Sequence, residues 1–140
     1  MTDWNEWNRT VIMEFRSNGG KVGGNFAGAP LLLLSTTGAK TGQRHTNPLM
    51  YLPDGGRSVV FASKGGAATN PDWYRNLVTD SNVTVEVGTE AFEAEAILIA
   101  GEERDRLYAR QAKLHPQFAE YQRGTSRKIP VVALVRRRGS

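Results

Sequence analysis

The sequence predicts a mainly β domain with helical additions (α+β), a small and largely antiparallel barrel. Its 140 residues fall within the size of one typical domain, so we expect a single domain spanning residues 1–140. Six candidate strands occur mostly as neighbouring hairpins. A doubly wound nucleotide-binding fold would instead need a helix between nearly all of its strands, which argues against that class.

The first half of the chain predicts one helix followed by three strands. Residues 1–18 place Trp4, Trp7 and later apolar residues at helical spacing, which indicates an N-terminal amphipathic helix. Residues 19–30 are glycine-rich and predict a loop, and the apolar run 31–36 is typical of a buried strand. Segments 45–52 and 58–63 flank a Pro-Asp-Gly-Gly turn and predict a hairpin, with Pro48 restricting the first segment to an edge or bulged position.

The second half predicts a short helix, a hairpin, two helices and a closing strand. Asn70-Pro71-Asp72 supplies an N-cap, a proline for the first helical position and an early acid, so a helix carrying Trp73 is expected there. Apolar residues alternate with polar ones in 83–87 and 92–96, which predicts a hairpin around Gly88. Residues 102–114 and 116–123 are expected to be helical, and 129–135 to form the last strand.

Charge is distributed unevenly along the chain. The net charge is +4, but residues 16–71 carry six basic side chains against one acid, and residues 72–120 carry ten acids against five bases. A basic, glycine-rich first half favours an anionic ligand, because glycine lets backbone N–H groups approach closely. The alternative is a merely solubilising surface, which is our interpretation of the basic C-terminal tail. The lack of cysteine excludes disulfides, thiol nucleophiles and iron–sulfur clusters.

The apolar runs 31–34 and 131–135 are too short to span a membrane, and the N-terminus lacks the apolar stretch of a signal peptide. We therefore expect a cytoplasmic protein. Trp4 and Trp7 leave a second possibility open, a peripheral contact of the first helix with the inner face of the membrane.

Two glycine-containing loops are candidates for binding an anion. Thr36-Thr37-Gly38-Ala39-Lys40-Thr41-Gly42 follows a strand and offers hydroxyls, backbone donors and an ammonium to a phosphate, although its spacing is not that of a Walker A loop. The alternative is an ordinary glycine-rich turn. Ala62-Ser63-Lys64-Gly65-Gly66 repeats this chemistry, and the two loops could together hold one extended anion. Trp73 is expected to anchor the core even if its edge touches a ligand.

The sequence offers no convincing set of catalytic acids and bases. His45 and His115 are its only histidines and neither belongs to a metal-ligand pattern, so no metal site is expected. A site poor in acids and bases but rich in anion-binding loops indicates an enzyme that uses an organic cofactor.

Five motifs resemble the deazaflavin-dependent nitroreductase family of actinobacteria, in matching order over roughly residues 10–135: Gly38-Ala39-Lys40-Thr41-Gly42-Gln43, Asn47-Pro48-Leu49, Ala62-Ser63-Lys64-Gly65-Gly66, Asn70-Pro71-Asp72-Trp73-Tyr74-Arg75-Asn76-Leu77 and Ile129-Pro130-Val131. The resemblance implies a split β-barrel like that of FMN-binding proteins, here a deazaflavin-binding domain. It also implies coenzyme F420, whose phosphate and glutamate tail suits the basic first half. The expected activity is an F420H2-dependent reductase that transfers hydride to a quinone-like, nitro or activated-alkene acceptor, a small molecule.

The resemblance also assigns candidate residues. The cofactor contacts fall on Ala39, Lys40, Thr41, Gly42, Arg44, His45, Thr46, Asn47, Pro48, Leu49, Met50, Ala62, Ser63, Lys64, Gly65, Gly66, Trp73 and Asn76. The substrate contacts fall on Met50, Ser63, His115, Phe118 and Tyr121. Ser63 and Tyr121 are the catalytic candidates, with the Ser63 hydroxyl donating a hydrogen bond to the acceptor or helping to deliver a proton.

The chain departs from the family pattern at two places. The family commonly has an arginine three residues before its motif proline, where this chain has His45 preceded by Arg44. Since neighbouring strand residues face opposite ways, either His45 holds the phosphate or Arg44 reaches it through a bulge. Tyrosines of a well-known member are replaced here by Met50, His115 and Phe118, which leaves open whether nitroimidazole prodrugs are reduced.

Three other functions stay open at this point: an FMN-binding oxidoreductase on the same barrel, a non-catalytic F420 carrier, and a basic barrel that binds nucleic acid. The last is disfavoured because nucleic-acid modules usually display aromatic residues on an exposed sheet. The strands of this chain carry mostly valine, leucine and alanine. The oligomeric state is not indicated by the sequence.

Overall fold

The computed structural model of the protein describes residues 4–23 and 30–137, apart from the side chains of residues 4–7. The side chains of Trp4 and Trp7, and residues 24–29 of the expected loop, therefore lie outside the described residues. The helices are α1 (Trp4–Ser17), α2 (Asp72–Thr79), α3 (Gly101–Leu114) and α4 (Gln117–Arg123), with a short 3-10 helix at Lys64–Gly66. The strands are β1 (Leu31–Thr37), β2 (Arg44–Met50), β3 (Leu52–Asp54), β4 (Arg57–Phe61), β5 (Asn82–Val87), β6 (Glu90–Ile99) and β7 (Val131–Arg136).

The strands form one antiparallel sheet in the order β2-β1-β5-β6-β7-β4-β3. Its two edge strands, β2 and β3, are consecutive in the chain and separated only by Tyr51. The sheet must therefore curl back on itself, which gives the half-open barrel of a split-barrel fold. The predicted fold class is confirmed, as are the hairpins β3–β4 and β5–β6.

Two local predictions differ from the structure. The expected strand 45–52 is divided at Tyr51, whose N–H donates to the carbonyl of Pro30 at 3.1 Å outside the sheet. Asn70 is not the N-cap of α2, because the helix begins at Asp72 with Pro71 in the cap position. The Asn70 side-chain oxygen instead accepts a hydrogen bond from Arg127 at 2.8 Å.

The two faces of β1 position the helices. Leu32 and Leu34 pack into the main core, together with Trp73 and Leu77 of α2. Leu33, which points the opposite way, packs with Val11 and Phe15 of α1. A third cluster joins α3 and α4 to the β3–β4 hairpin: Leu52, Val59, Phe61, Leu107, Tyr108, Phe118, Ile129 and Val131. The strand β1, buried on both faces, thus fixes α1 and α2 on either side of the loop that follows it.

Within the described ranges, the helices are all too short or too polar to cross a membrane.

Candidate functional site

The loop between β1 and β2 is a closed turn with Lys40 exposed at its tip. The Gly38 N–H donates to the Gln43 carbonyl at 2.7 Å, and the Gly42 N–H donates to the Gly38 carbonyl at 2.9 Å. Gly38 is buried, and a Cβ there would lie 2.7 Å from Thr41 Oγ1 and 3.0 Å from His45 Nε2. A side chain at this position would therefore displace the Thr41 hydroxyl and the His45 ring from the loop backbone.

Asn76 of α2 connects this loop to β1. Its side-chain oxygen accepts the Ala39 N–H at 3.0 Å, and its amide nitrogen donates to Thr36 Oγ1 at 3.1 Å. Asn76 is buried and Thr36 is fully buried, so both hydrogen bonds are largely shielded from water. The predicted cofactor residue Asn76 therefore also holds the loop in position.

A cavity of about 490 Å³ opens between this loop, α1, α2 and the free edge of β2. That volume falls within the usual range for small-molecule sites, roughly 300–1,000 Å³. Its lining consists of Asn8, Arg9, Ile12, Gly38, Ala39, Lys40, Thr41, His45, Thr46, Asn47, Asp72, Trp73, Arg75 and Asn76.

The cavity is predominantly cationic. It is lined by Arg9, Lys40 and Arg75, against the single carboxylate of Asp72. Asp72 forms an ion pair with Arg75, whereas no ion pair joins Arg9 or Lys40 to another described residue. Two positive charges are thus available to an anion beside the backbone amides of a glycine turn, an arrangement suited to phosphate or carboxylate groups.

Eight of the predicted cofactor residues line this cavity: Ala39, Lys40, Thr41, His45, Thr46, Asn47, Trp73 and Asn76. Trp73 is 5% exposed and belongs to the main core, as expected, and it also lines the cavity, so its contact with the cofactor stays a prediction. Of the remaining predicted cofactor residues, those that the structure describes lie outside the lining: Gly42, Arg44, Pro48, Leu49, Met50, Ala62, Ser63, Lys64 and Gly66. Among these, Leu49 and Ala62 belong to the same apolar cluster as Trp73.

The structure places His45, and not Arg44, in the lining of the cavity. The β1–β2 register is continuous from Leu31 opposite Met50 to Thr37 opposite Arg44, so no bulge turns Arg44 towards the cavity. The Arg44 guanidinium donates to Thr37 Oγ1 at 3.0 Å and to Thr84 Oγ1 at 2.5 Å. His45 faces the cavity, and of the two residues it is the one that could contact an anion there.

The second predicted loop, Ala62-Ser63-Lys64-Gly65-Gly66, follows β4 and belongs to a longer connection, residues 62–70, which we call the second loop. Ala62 is buried, Ser63 is half-buried and Lys64 is exposed. Lys64 has a φ of 47°, in the left-handed region that a non-glycine residue rarely adopts. Its ammonium donates to Thr69 Oγ1 at 3.3 Å. The structure therefore contains both glycine loops, but only the first lines the described cavity.

The predicted substrate residues of α4 lie in an aromatic cluster beside this second loop. Phe118 is 5% exposed, and its ring centroid lies 5.7 Å from that of Phe61 and 5.2 Å from that of Tyr121. His115 lies 6.4 Å from the Phe118 ring. Tyr121 is half-buried, so it is more accessible to an acceptor than Phe118. Met50 lies nearby, with its sulfur 4.0 Å from the Gln117 amide nitrogen.

Several lining residues were not identified from the sequence. Asn8, Arg9 and Ile12 come from α1, whose apolar spacing predicted a packing face and gave no indication of a ligand. Arg9 and Ile12 are three residues apart and so share a helix face, which is the one local signal that links Arg9 to the body of the protein. Gly38, Asp72 and Arg75 belong to recognised motifs, but they were not singled out as contacts.

Comparisons with known proteins agree with this architecture. The family model described as F420H(2)-dependent quinone reductase matches residues 7–136. An F420H(2)-dependent quinone reductase of Mycobacterium tuberculosis is 40% identical over 129 residues, covering 88% of this chain and 85% of that protein.

Two solved structures are similar as well. One, titled as an F420-H2 dependent reductase, has a TM-score of 0.69 and 37% identity, covering 75% of this chain and 93% of its own. Another, titled as a domain-swapped dimer, has a TM-score of 0.71 and 34% identity, covering 94% of this chain and 97% of its own. The motifs, the half-open barrel and these similarities lead to one conclusion: the chain belongs to the F420H(2)-dependent quinone reductase family.

Proposed function

We propose that this protein is an F420H2-dependent reductase that passes a hydride to a quinone-like acceptor. The observation that carries the proposal is the cationic cavity formed by the glycine loop after β1, in a chain of the quinone reductase family. The Mycobacterium tuberculosis protein that is 40% identical to this chain is named an F420H(2)-dependent quinone reductase. The reaction class also suits a site with few candidate acids and bases.

The residues present are suited to a deazaflavin cofactor with an anionic tail. Lys40 and Arg9 supply positive charge without a described carboxylate partner, and Thr41 and His45 supply polar atoms against the Gly38 backbone. Trp73 also lines this cavity, with its ring largely buried in the main core. We assign the phosphate and glutamate groups to the part of the cavity formed by Lys40, because its ammonium has no carboxylate partner among the described residues and lies beside the backbone amides of the glycine loop.

In our proposal the second loop contacts the deazaflavin ring through Ser63 and Lys64, and together with α4 it also forms the acceptor side. Bound F420H2 supplies the hydride from C5 of its deazaflavin ring. The half-buried Ser63 hydroxyl is proposed to donate a hydrogen bond to the acceptor oxygen. Tyr121 is proposed to contact a flat acceptor by its ring and to offer one hydrogen bond through its hydroxyl. Such contacts position the acceptor and stabilise the charge that develops on its oxygen.

The test is an acceptor panel with F420H2, comprising a naphthoquinone, a nitroaromatic compound and an activated enone. We expect the naphthoquinone to be reduced fastest, with kcat lowered in Ser63→Ala and in Tyr121→Phe. Ser58→Ala, a half-buried serine of β4, is the matched control and is expected to keep wild-type rates. Reduction supported equally well by FMNH2, or binding of F420 without turnover of any acceptor, would refute the proposal.

A further inference from the structure

Arg127, in the segment between α4 and β7, binds the second loop through its guanidinium. One terminal nitrogen donates to the Ala62 carbonyl at 3.0 Å and to the Asn70 side-chain oxygen at 2.8 Å. The other donates to the Ser63 carbonyl at 2.7 Å, and Nε donates to the Ala67 carbonyl at 2.8 Å. A single side chain therefore spans both ends of the 62–70 loop.

This contact suits arginine and no other side chain. A guanidinium presents five donors in a planar fork, whereas a lysine ammonium is a compact group that cannot reach several separated acceptors at once. Burial lowers the pKa of Arg127 from its usual value, so the group gives up part of its hydration. Loop carbonyls and an amide oxygen replace that water, and no carboxylate among the described residues takes part.

The segment that carries Arg127 is itself held rigidly. The Gln122 amide nitrogen donates to the Arg127 carbonyl at 2.8 Å, and the Gln122 oxygen accepts the Ile129 N–H at 3.1 Å. The buried Arg104 of α3 donates to the same Gln122 oxygen at 2.8 Å and to the Ile129 carbonyl at 2.7 Å. The backbone of Arg127 is therefore held in place by side chains of α3 and α4.

The loop is packed closely on its other side as well. A Cβ at Gly66 would lie 2.9 Å from the Tyr121 carbonyl oxygen, so the loop backbone rests directly on α4. Lys64, between Ser63 and Gly66, has the left-handed φ of 47°. A non-glycine residue keeps such a conformation only where its surroundings enforce it, and these strained positions cluster at functional sites.

We propose that Arg127 is a positioning residue that holds the 62–70 loop, and with it Ser63 and Lys64, in the conformation that receives the cofactor. The cofactor part of this inference rests on the proposed function. The hydrogen bonds of Arg127 fix the carbonyls on either side of Ser63, so their loss frees the backbone that carries both site residues.

The experiment compares Arg127→Lys with Arg104→Lys, because both variants keep the charge and lose a guanidinium of the same hydrogen-bond network. Hydrogen exchange is measured in the cofactor-free protein at Gly66 and Ala67, whose N–H groups donate to the Ser63 and Lys64 carbonyls. We expect Arg127→Lys to speed exchange at these two amides at least about tenfold, the equilibrium effect of losing one hydrogen bond to a charged group. Exchange in β7 should stay at wild-type rates in Arg127→Lys. Arg104→Lys loosens only the segment that carries Arg127, so it should speed exchange at the two amides clearly less than Arg127→Lys does.

F420 titrations of the same proteins test whether the position of the loop affects cofactor binding. Arg127→Lys is expected to weaken F420 binding about tenfold, whereas Arg104→Lys should lower the melting temperature and weaken binding less. Asn70→Ala removes one of the four acceptors of Arg127. It should change the exchange rates and the F420 affinity in the same direction as Arg127→Lys, but by less.

Unchanged exchange at Gly66 and Ala67 in Arg127→Lys, or an equal rise in both arginine variants, would overturn the inference. Wild-type F420 binding in Arg127→Lys would overturn its cofactor part and leave the proposed function standing. Failure of the wild-type protein to bind F420 would refute the proposed function and the cofactor part together, and the exchange comparison would still decide whether Arg127 holds the loop.

Discussion

Truncation of Phe118 should separate a structural role from a substrate-binding one. The ring is 5% exposed and contacts Phe61, Tyr108 and Tyr121 in edge-to-face geometry, with centroids 5.2–6.4 Å apart. Removing a buried phenyl ring from such a cluster costs about 3–5 kcal/mol, the transfer free energy of the ring plus the cavity that it leaves. For a chain of this length, that corresponds to a fall in melting temperature of roughly 10–15 °C.

The assay measures the free energy of unfolding in urea and the acceptor kinetics on the same preparation of Phe118→Ala. We expect the large loss of stability, with KM and kcat per folded molecule close to wild type. Gln117→Ala, on an exposed position of the same helix, is the control and should change stability by less than about 0.5 kcal/mol. A raised KM with a melting temperature within about 2 °C of wild type would refute the core assignment and make Phe118 part of the acceptor site.

Three further outcomes are expected from single substitutions. Lys40→Ala should weaken F420 binding by about 1.5–3 kcal/mol, roughly tenfold to a hundredfold, without changing the melting temperature, and calorimetry that finds equal affinities would show that the phosphate is held elsewhere. Gln111→Leu should raise the free energy of unfolding by roughly 1–3 kcal/mol, because both polar atoms of this fully buried amide lack a hydrogen-bond partner among the described residues; a loss of stability would point to an ordered water that satisfies them. The hydrogen bond from Arg57 lowers the pKa of Asp54 below its usual 3.8, so the ion pair stabilises the fold above that pH and the contribution disappears as the pH falls through the lowered pKa. Asp54→Asn should therefore lower stability at neutral pH and approach wild type in acid, and a difference that stays constant with pH would contradict this.

The hairpins and the first anion loop could be predicted because local residues determine them. Gly55, Gly56 and Gly88 have positive φ values of 57°, 87° and 59° in the two predicted hairpin turns. Gly38 likewise occupies a position where a Cβ would collide with the loop. Such features depend on a few neighbouring residues, so they are visible in the sequence itself.

The rest of the site depends on contacts between distant segments. Arg9 joins the cavity only because β1 holds α1 against the sheet edge, and no local pattern marks it as a ligand contact. Asn70 has the sequence of an N-cap, but tertiary hydrogen bonding to Arg127 overrides that preference. The role of Arg127 could not be predicted for the same reason. Its hydrogen bonds join distant segments, and from the sequence an arginine in a basic C-terminal segment predicts only a solvated surface.

The measurement that tests the central claim most directly is a titration of the purified protein with F420 and with FMN over a range of salt concentrations. We expect F420 to bind much more tightly at low salt, with an advantage that shrinks as salt rises, because its tail carboxylates interact with the exposed cations of the cavity. Equal affinities for F420 and FMN, or an F420 affinity independent of salt, would contradict the assignment of this cavity to the anionic tail of a deazaflavin.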